Sequence, residues 1–136
     1  MTDKPLGLMD FVKTARAQIR ELEPDAFEAL RAERDDLLVV DVRESSEHEQ
    51  GHIEGALLVP RGILEAAADL DYPKHVEALY TARNRPVVLY CATGGRSAMA
   101  ALTLQQMGFA EVYSLAGGMA RWEKEGRPLV REARYV

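Results

Sequence analysis

Val87-Val88-Leu89-Tyr90-Cys91-Ala92-Thr93-Gly94-Gly95-Arg96-Ser97 joins an apolar run to a glycine turn, and a segment rich in alanine, leucine and methionine follows. The run has the pattern of a strand covered on both faces. The segment after the turn predicts a helix from Arg96 to Met107, stopped by Gly108. Along it, Ala98, Met99, Ala101, Leu102, Leu104 and Met107 leave polar side chains mainly at Thr103, Gln105 and Gln106. So narrow a wet face means a helix largely inside the molecule.

Outward from this unit the same alternation repeats. Leu37 to Val42 is a second continuous apolar run, Ala56 to Val59 a short strand closed by Pro60, and Val112 to Leu115 a further strand. Ile19 to Leu22 reads as a short edge strand. Between the strands, helices are expected over Ala26 to Ala32, Ser45 to Gln50, Ile63 to Leu70 and His75 to Tyr80. A last short helix carrying Trp122, most simply a core anchor, follows Gly117-Gly118. Near the start, Leu8, Phe11, Val12 and Ala15 recur at helical spacing and predict an amphipathic helix packed on the domain. The expected fold class is α/β: a layered sandwich whose mostly parallel central sheet carries helices on both faces.

The chain has 136 residues, which suits one compact domain. Its formal net charge of -5 disfavours nucleic acid as a partner, because phosphate backbones attract the opposite balance. A single cysteine excludes an internal disulfide. No apolar run approaches the ~18 residues of a membrane span, so no membrane partner is expected. Met1-Thr2-Asp3-Lys4-Pro5 lacks a secretory pattern, and a cytoplasmic location is the expectation. His48, His52 and His75 show no familiar ligand spacing beside the lone cysteine, so neither metal nor cofactor is expected.

Cys91 stands at the carboxyl end of its strand, where open parallel sheets place ligands. A free cysteine thiol titrates near ~8.5, and thiols at helix N-termini or beside cations fall to roughly 3.5–7.5. Gly94 and Gly95 allow a turn whose N–H groups converge, and Arg96 adds permanent charge that can fork toward oxyanions. Ser97 either caps the helix or donates to the sulfur. A cysteine that is merely a small buried hydrophobe gains nothing from such neighbours. Cys91 therefore reads as a nucleophilic or sulfur-carrying thiolate.

Cys91 to Ser97 resembles the active-site loop of single-domain rhodaneses, the thiosulfate sulfurtransferase family. Asp41-Val42-Arg43-Glu44, with Glu47, Gly51-His52-Ile53-Glu54-Gly55-Ala56 and Pro60, is similar to the family's N-terminal pattern. Val112-Tyr113-Ser114-Leu115-Ala116-Gly117-Gly118-Met119, then Trp122, Gly126 and Pro128, is similar to its C-terminal pattern. The resemblance divides the chain into an N-terminal helical extension at 1–18, a rhodanese-like domain at 19–130 and a short tail at 131–136. It implies that Cys91 takes the outer sulfur of a small anionic donor such as thiosulfate and becomes a persulfide. Ala92, Thr93, Gly94, Gly95, Arg96 and Ser97 would hold that sulfur, and cyanide or a thiol, which an acceptor protein could carry, would remove it. Asp41 and Arg43 would brace the loop. Arg61, just after a strand end, either greets an anionic donor at the entrance or is a solvated surface arginine. His48 departs from the family, which commonly carries an aromatic residue there, and His52 is expected to be hydrogen-bonded and structural.

Three other functions share parts of this pattern. Cysteine phosphatases of the cell-cycle type, similar in fold, place five residues between cysteine and arginine; here Ala92 to Gly95 are only four. The tighter ring suits one terminal sulfur better than a tetrahedral phosphate, and arsenate reduction meets the same objection. A silent binding module need not keep both Cys91 and Arg96. A persulfide or redox sensor would need an external thiol, since no second cysteine is present.

Overall fold

The computed structural model describes residues 4–131. Strands β1 (Arg20–Leu22), β2 (Leu38–Asp41), β3 (Leu57–Leu58), β4 (Pro86–Tyr90) and β5 (Glu111–Leu115) form one sheet in the order β1-β5-β4-β2-β3. Every strand pairing is parallel, so β1 is an edge strand and β4 lies in the middle with all its residues buried. The helices are α1 (Leu8–Arg16), α2 (Pro24–Glu33), α3 (Ser45–Gln50), α4 (Leu64–Ala68), α5 (Glu77–Tyr80), α6 (Gly95–Gln106) and α7 (Gly118–Lys124).

Strand β4 shows why both faces are covered. Its side chains alternate: Val87 and Leu89 join Val40, Leu64, Leu79, Ala100 and Leu104 on one face. Val88 and Tyr90 join Phe27, Val39, Leu115, Met119 and Trp122 on the other. Each such aliphatic side chain contributes about 1.5–3 kcal/mol on leaving water. Trp122 is fully buried, and its indole N–H donates to Pro128 O at 2.8 Å. The expected layered α/β fold is the observed one.

Two differences from expectation stand out, beside the start of α5 at Glu77 rather than His75. The segment from Ile63 begins earlier, with a 3-10 turn at Arg61–Ile63, and ends at Ala68. Asp69 turns extended there, and its carboxylate accepts from Asp71 N–H at 2.8 Å. Helix α1 packs on α6, but only Val12 and Ala15 are buried while Leu8 and Phe11 stay more than half exposed. One neighbouring helix covers one row of side chains, which is narrower than the full apolar stripe. The tail expected at 131–136 lies outside the described residues apart from Arg131.

Candidate active site

Cys91 directly follows the central strand and is 1% exposed, packed in the same interior cluster as Val42 and Val59. Gly94 precedes the first turn of α6 with φ +102, a left-handed backbone that side chains resist. That bend turns the chain back over the sulfur. Gly94 N–H donates to Cys91 Sγ at 3.1 Å and Ser97 N–H at 3.4 Å. The first N–H groups of a helix have no acceptor within it, so the sulfur stands where a capping oxygen usually does. Among the described residues, the amides of Ala92, Thr93, Gly95 and Arg96 make no hydrogen bond to Sγ itself.

A hydroxyl pair lies behind the sulfur. Ser97 Oγ is 3.5 Å from Cys91 Sγ and 2.8 Å from Ser114 Oγ, with both serines fully buried. Ser114 escaped the sequence reading as a site residue. Its only signal was a small polar side chain interrupting the apolar run of β5.

The base of the turn is fastened by α7. Met119 N–H donates to Cys91 O and Ala120 N–H to Ala92 O, each at 2.9 Å. Gly118 permits this approach, since a Cβ there would lie 2.4 Å from Cys91 O.

Arg96 turns its fork onto a carboxylate. Its Nη1 and Nη2 donate to Glu47 Oε1 and Oε2 at 2.9 and 3.0 Å. The Arg96 hydrogen bonds hold the Glu47 carboxyl down at about 2. Glu47 also accepts from Glu44 N–H at 3.0 Å, closing the start of α3.

Asp41, at the end of β2, is the hub of a second network. Its Oδ1 accepts from Arg43 N–H at 3.0 Å and Arg43 Nε at 2.9 Å. Its Oδ2 meets Arg43 Nη2 at 2.8 Å, His48 Nδ1 at 2.9 Å and Tyr90 OH at 3.1 Å. Burial alone would raise this carboxyl, but the Arg43 and His48 hydrogen bonds outweigh it and hold it below its ordinary range. Burial, followed by the Asp41 charge, pushes the Tyr90 phenol upward. Asp41 and Arg43 thus brace the residue immediately before Cys91.

His48 fills its place by bonding Asp41 and by stacking on His52, with ring centroids 3.7 Å apart. His52 is tied down as expected, through Nδ1 to His48 O at 2.9 Å and backbone bonds to Val130. Arg61 points elsewhere: Nη1 donates to Glu65 at 2.9 Å and Nη2 to Thr103 Oγ1 at 3.2 Å. With Leu6, Phe11, Met99 and Leu102 it lines a groove of about 360 Å³ between α1 and α6. No helix is long and apolar enough to cross a membrane among the described residues.

The family described as Rhodanese-like domain matches residues 23–125. A sulfurtransferase of Allochromatium vinosum is 32% identical over 112 residues, covering 82% of this chain and 95% of that protein. A solved Rhodopseudomonas palustris protein of unknown function, described as a possible tyrosine phosphatase, superposes with TM-score 0.85 at 32% identity; the match covers 96% of this chain and 99% of that one. The polysulfide-sulfur transferase homodimer of Wolinella succinogenes gives TM-score 0.67 at 32% identity, covering 91% and 87%.

Proposed function

The chain belongs to the rhodanese-like domain family, and from that premise we propose that it is a sulfurtransferase working through a persulfide on Cys91. The Cys91 thiolate attacks the outer sulfur of thiosulfate. A new S–S bond forms, the old one breaks, and sulfite departs with its electron pair, leaving Cys91 as a persulfide anion. Cyanide then attacks the outer persulfide sulfur and leaves as thiocyanate, restoring the thiolate. A thiolate acceptor, free or on a protein, leaves instead as its own persulfide. Charge balances in each half, and donor and acceptor never meet, so the kinetics are ping-pong.

One observation carries this reading: Cys91 Sγ lies at the start of α6 within reach of two amides, at 3.1 and 3.4 Å, and one hydroxyl, at 3.5 Å. These donors and the start of the helix dipole would stabilise charge on the outer sulfur of a persulfide. First-turn amides of α6 that have no helical partner are free to meet the second sulfur once it is added. Asp41 and Arg43 hold the strand end, and residues 19–130 form the catalytic unit. A reducing cytoplasm, where thiol acceptors persist, is the setting this chemistry asks for.

Intact mass after incubation with thiosulfate tests the proposal. One sulfur should be gained, lost again on adding cyanide, and never gained by Cys91→Ser. Hydrolysis of an aryl phosphate without sulfur uptake would replace this reading with phosphatase chemistry. Failure of both reactions would leave a binding module.

A further inference from the structure

An anionic donor approaches a chain of net charge -5, and the arginines that the sequence offers to it are neutralised. Arg96 is held by both oxygens of Glu47 at 2.9 and 3.0 Å, Arg43 by Asp41 at 2.9 and 2.8 Å, and Arg61 by Glu65 at 2.9 Å. A cation beside a carboxylate acts on a third charge as a dipole, and its pull fades quickly with distance.

Among the described residues, a cation from outside the matched residues 23–125 reaches the loop at Gly94. Arg16, the last residue of α1, extends its guanidinium to Gly94, so that a Cβ built on Gly94 would lie 3.2 Å from Arg16 Nη2. Gly94 is the residue whose N–H donates to the Cys91 sulfur at 3.1 Å. Arg16 is tied loosely, through Nε to Glu21 Oε2 at 3.5 Å, with side chains 37% and 34% exposed. Its helix is nonetheless fixed against the same loop. Val12 and Ala15 are buried, and Val12 Cγ2 lies 3.4 Å from a Cβ built on Gly95.

We infer that Arg16 is a specificity-determining residue, which draws sulfur donors carrying negative charge to the Cys91 loop. The inference rests on the sulfurtransferase reading for its substrate class. It does not for its electrostatics. Arg16 makes and breaks no bond; it raises the local concentration of anions beside a thiolate that would otherwise repel them.

Two electrophiles of nearly equal shape, anionic iodoacetate and neutral iodoacetamide, separate charge from access. Their rates of alkylating Cys91 should be compared in the wild type, Arg16→Gln, Arg16→Lys and Glu21→Gln, alongside sulfur uptake from thiosulfate. Arg16→Gln should slow iodoacetate and thiosulfate by about threefold to tenfold while iodoacetamide stays within about twofold. Arg16→Lys should retain most of the preference, Glu21→Gln should strengthen it, and added salt should erase it. An unchanged iodoacetate-to-iodoacetamide ratio in Arg16→Gln overturns the inference, as does an equal fall with both reagents, which would mean that the helix had merely come loose. A ratio that depends on Arg16 in a protein that takes no sulfur from thiosulfate upholds the anion selection and overturns the sulfurtransferase reading instead.

Discussion

Glu47 grips both terminal nitrogens of Arg96, at 2.9 and 3.0 Å, across 49 residues of sequence. The Arg96 bonds lower its carboxyl from the ordinary 4.5 to about 2. A depressed acid stabilises the fold above its unfolded value and loses that contribution as pH falls through its folded one. Glu47→Gln should therefore flatten the fall in stability between pH 4.5 and about 2, followed by circular dichroism during acid titration. The effect at neutral pH should be small, because the pair is about one-third exposed. Superimposable acid curves would mean that the fork does not form in solution.

Ser97 offers its proton to the Cys91 sulfur when Ser114, 2.8 Å away, offers its own to Ser97. Without Ser114 the Ser97 oxygen loses the donor that polarises its own O–H toward the sulfur. Ser114→Ala should slow iodoacetamide alkylation of Cys91 at neutral pH by about threefold to tenfold, and should cost about 1 kcal/mol of stability. Ser114→Thr keeps a hydroxyl and should keep the rate. Equal rates in the wild type and the alanine variant would mean that Ser114 does not act on Cys91.

Asp41 has no exposed surface and Arg43 only 6%. Asp41→Asn preserves shape but strands a buried guanidinium and points an amide at donors, a loss of about 3–5 kcal/mol. Urea unfolding at pH 7 measures it. Since the Asp41 carboxyl lies below its ordinary 3.8, its contribution is complete at neutral pH and disappears only as pH falls past 3.8 toward the depressed value. A change below about 1 kcal/mol would mean that water or another group replaces the lost acceptor.

Gly118 combines φ +56 with a Cβ direction that runs into Cys91 O at 2.4 Å. Gly118→Ala must shift α7 or the cysteine turn, at a cost of at least about 2 kcal/mol. Sulfur uptake should fall with it even where the fold survives, because Met119 N–H and Ala120 N–H, which fasten that turn, move too. Thermal unfolding together with intact mass reads both effects.

Cys91, its glycine turn and the buried helix after it were legible in the sequence, because a strand–turn–helix unit is local and each residue type has one structural reason to be there. The alternation of apolar runs with helical segments yielded the parallel sheet for the same cause. Long-range pairing was not legible. Nothing near Arg96 announces Glu47, so the arginine reads as a free cation when it is a paired one. Ser114 looks like an ordinary strand residue until β5 packs beside α6. Leu8 and Phe11 satisfy the helical period of α1 yet stay more than half exposed, since periodicity describes a face and not what meets it.

The near-complete enclosure of Cys91 bears on how a carried sulfur would be guarded. With the side chain empty, passing oxidants and bulky disulfides find almost nothing to strike at the protein's surface. A persulfide's outer sulfur would stand one bond length beyond Sγ. The charged carrier would then advertise itself only while loaded, and fall silent again upon discharge.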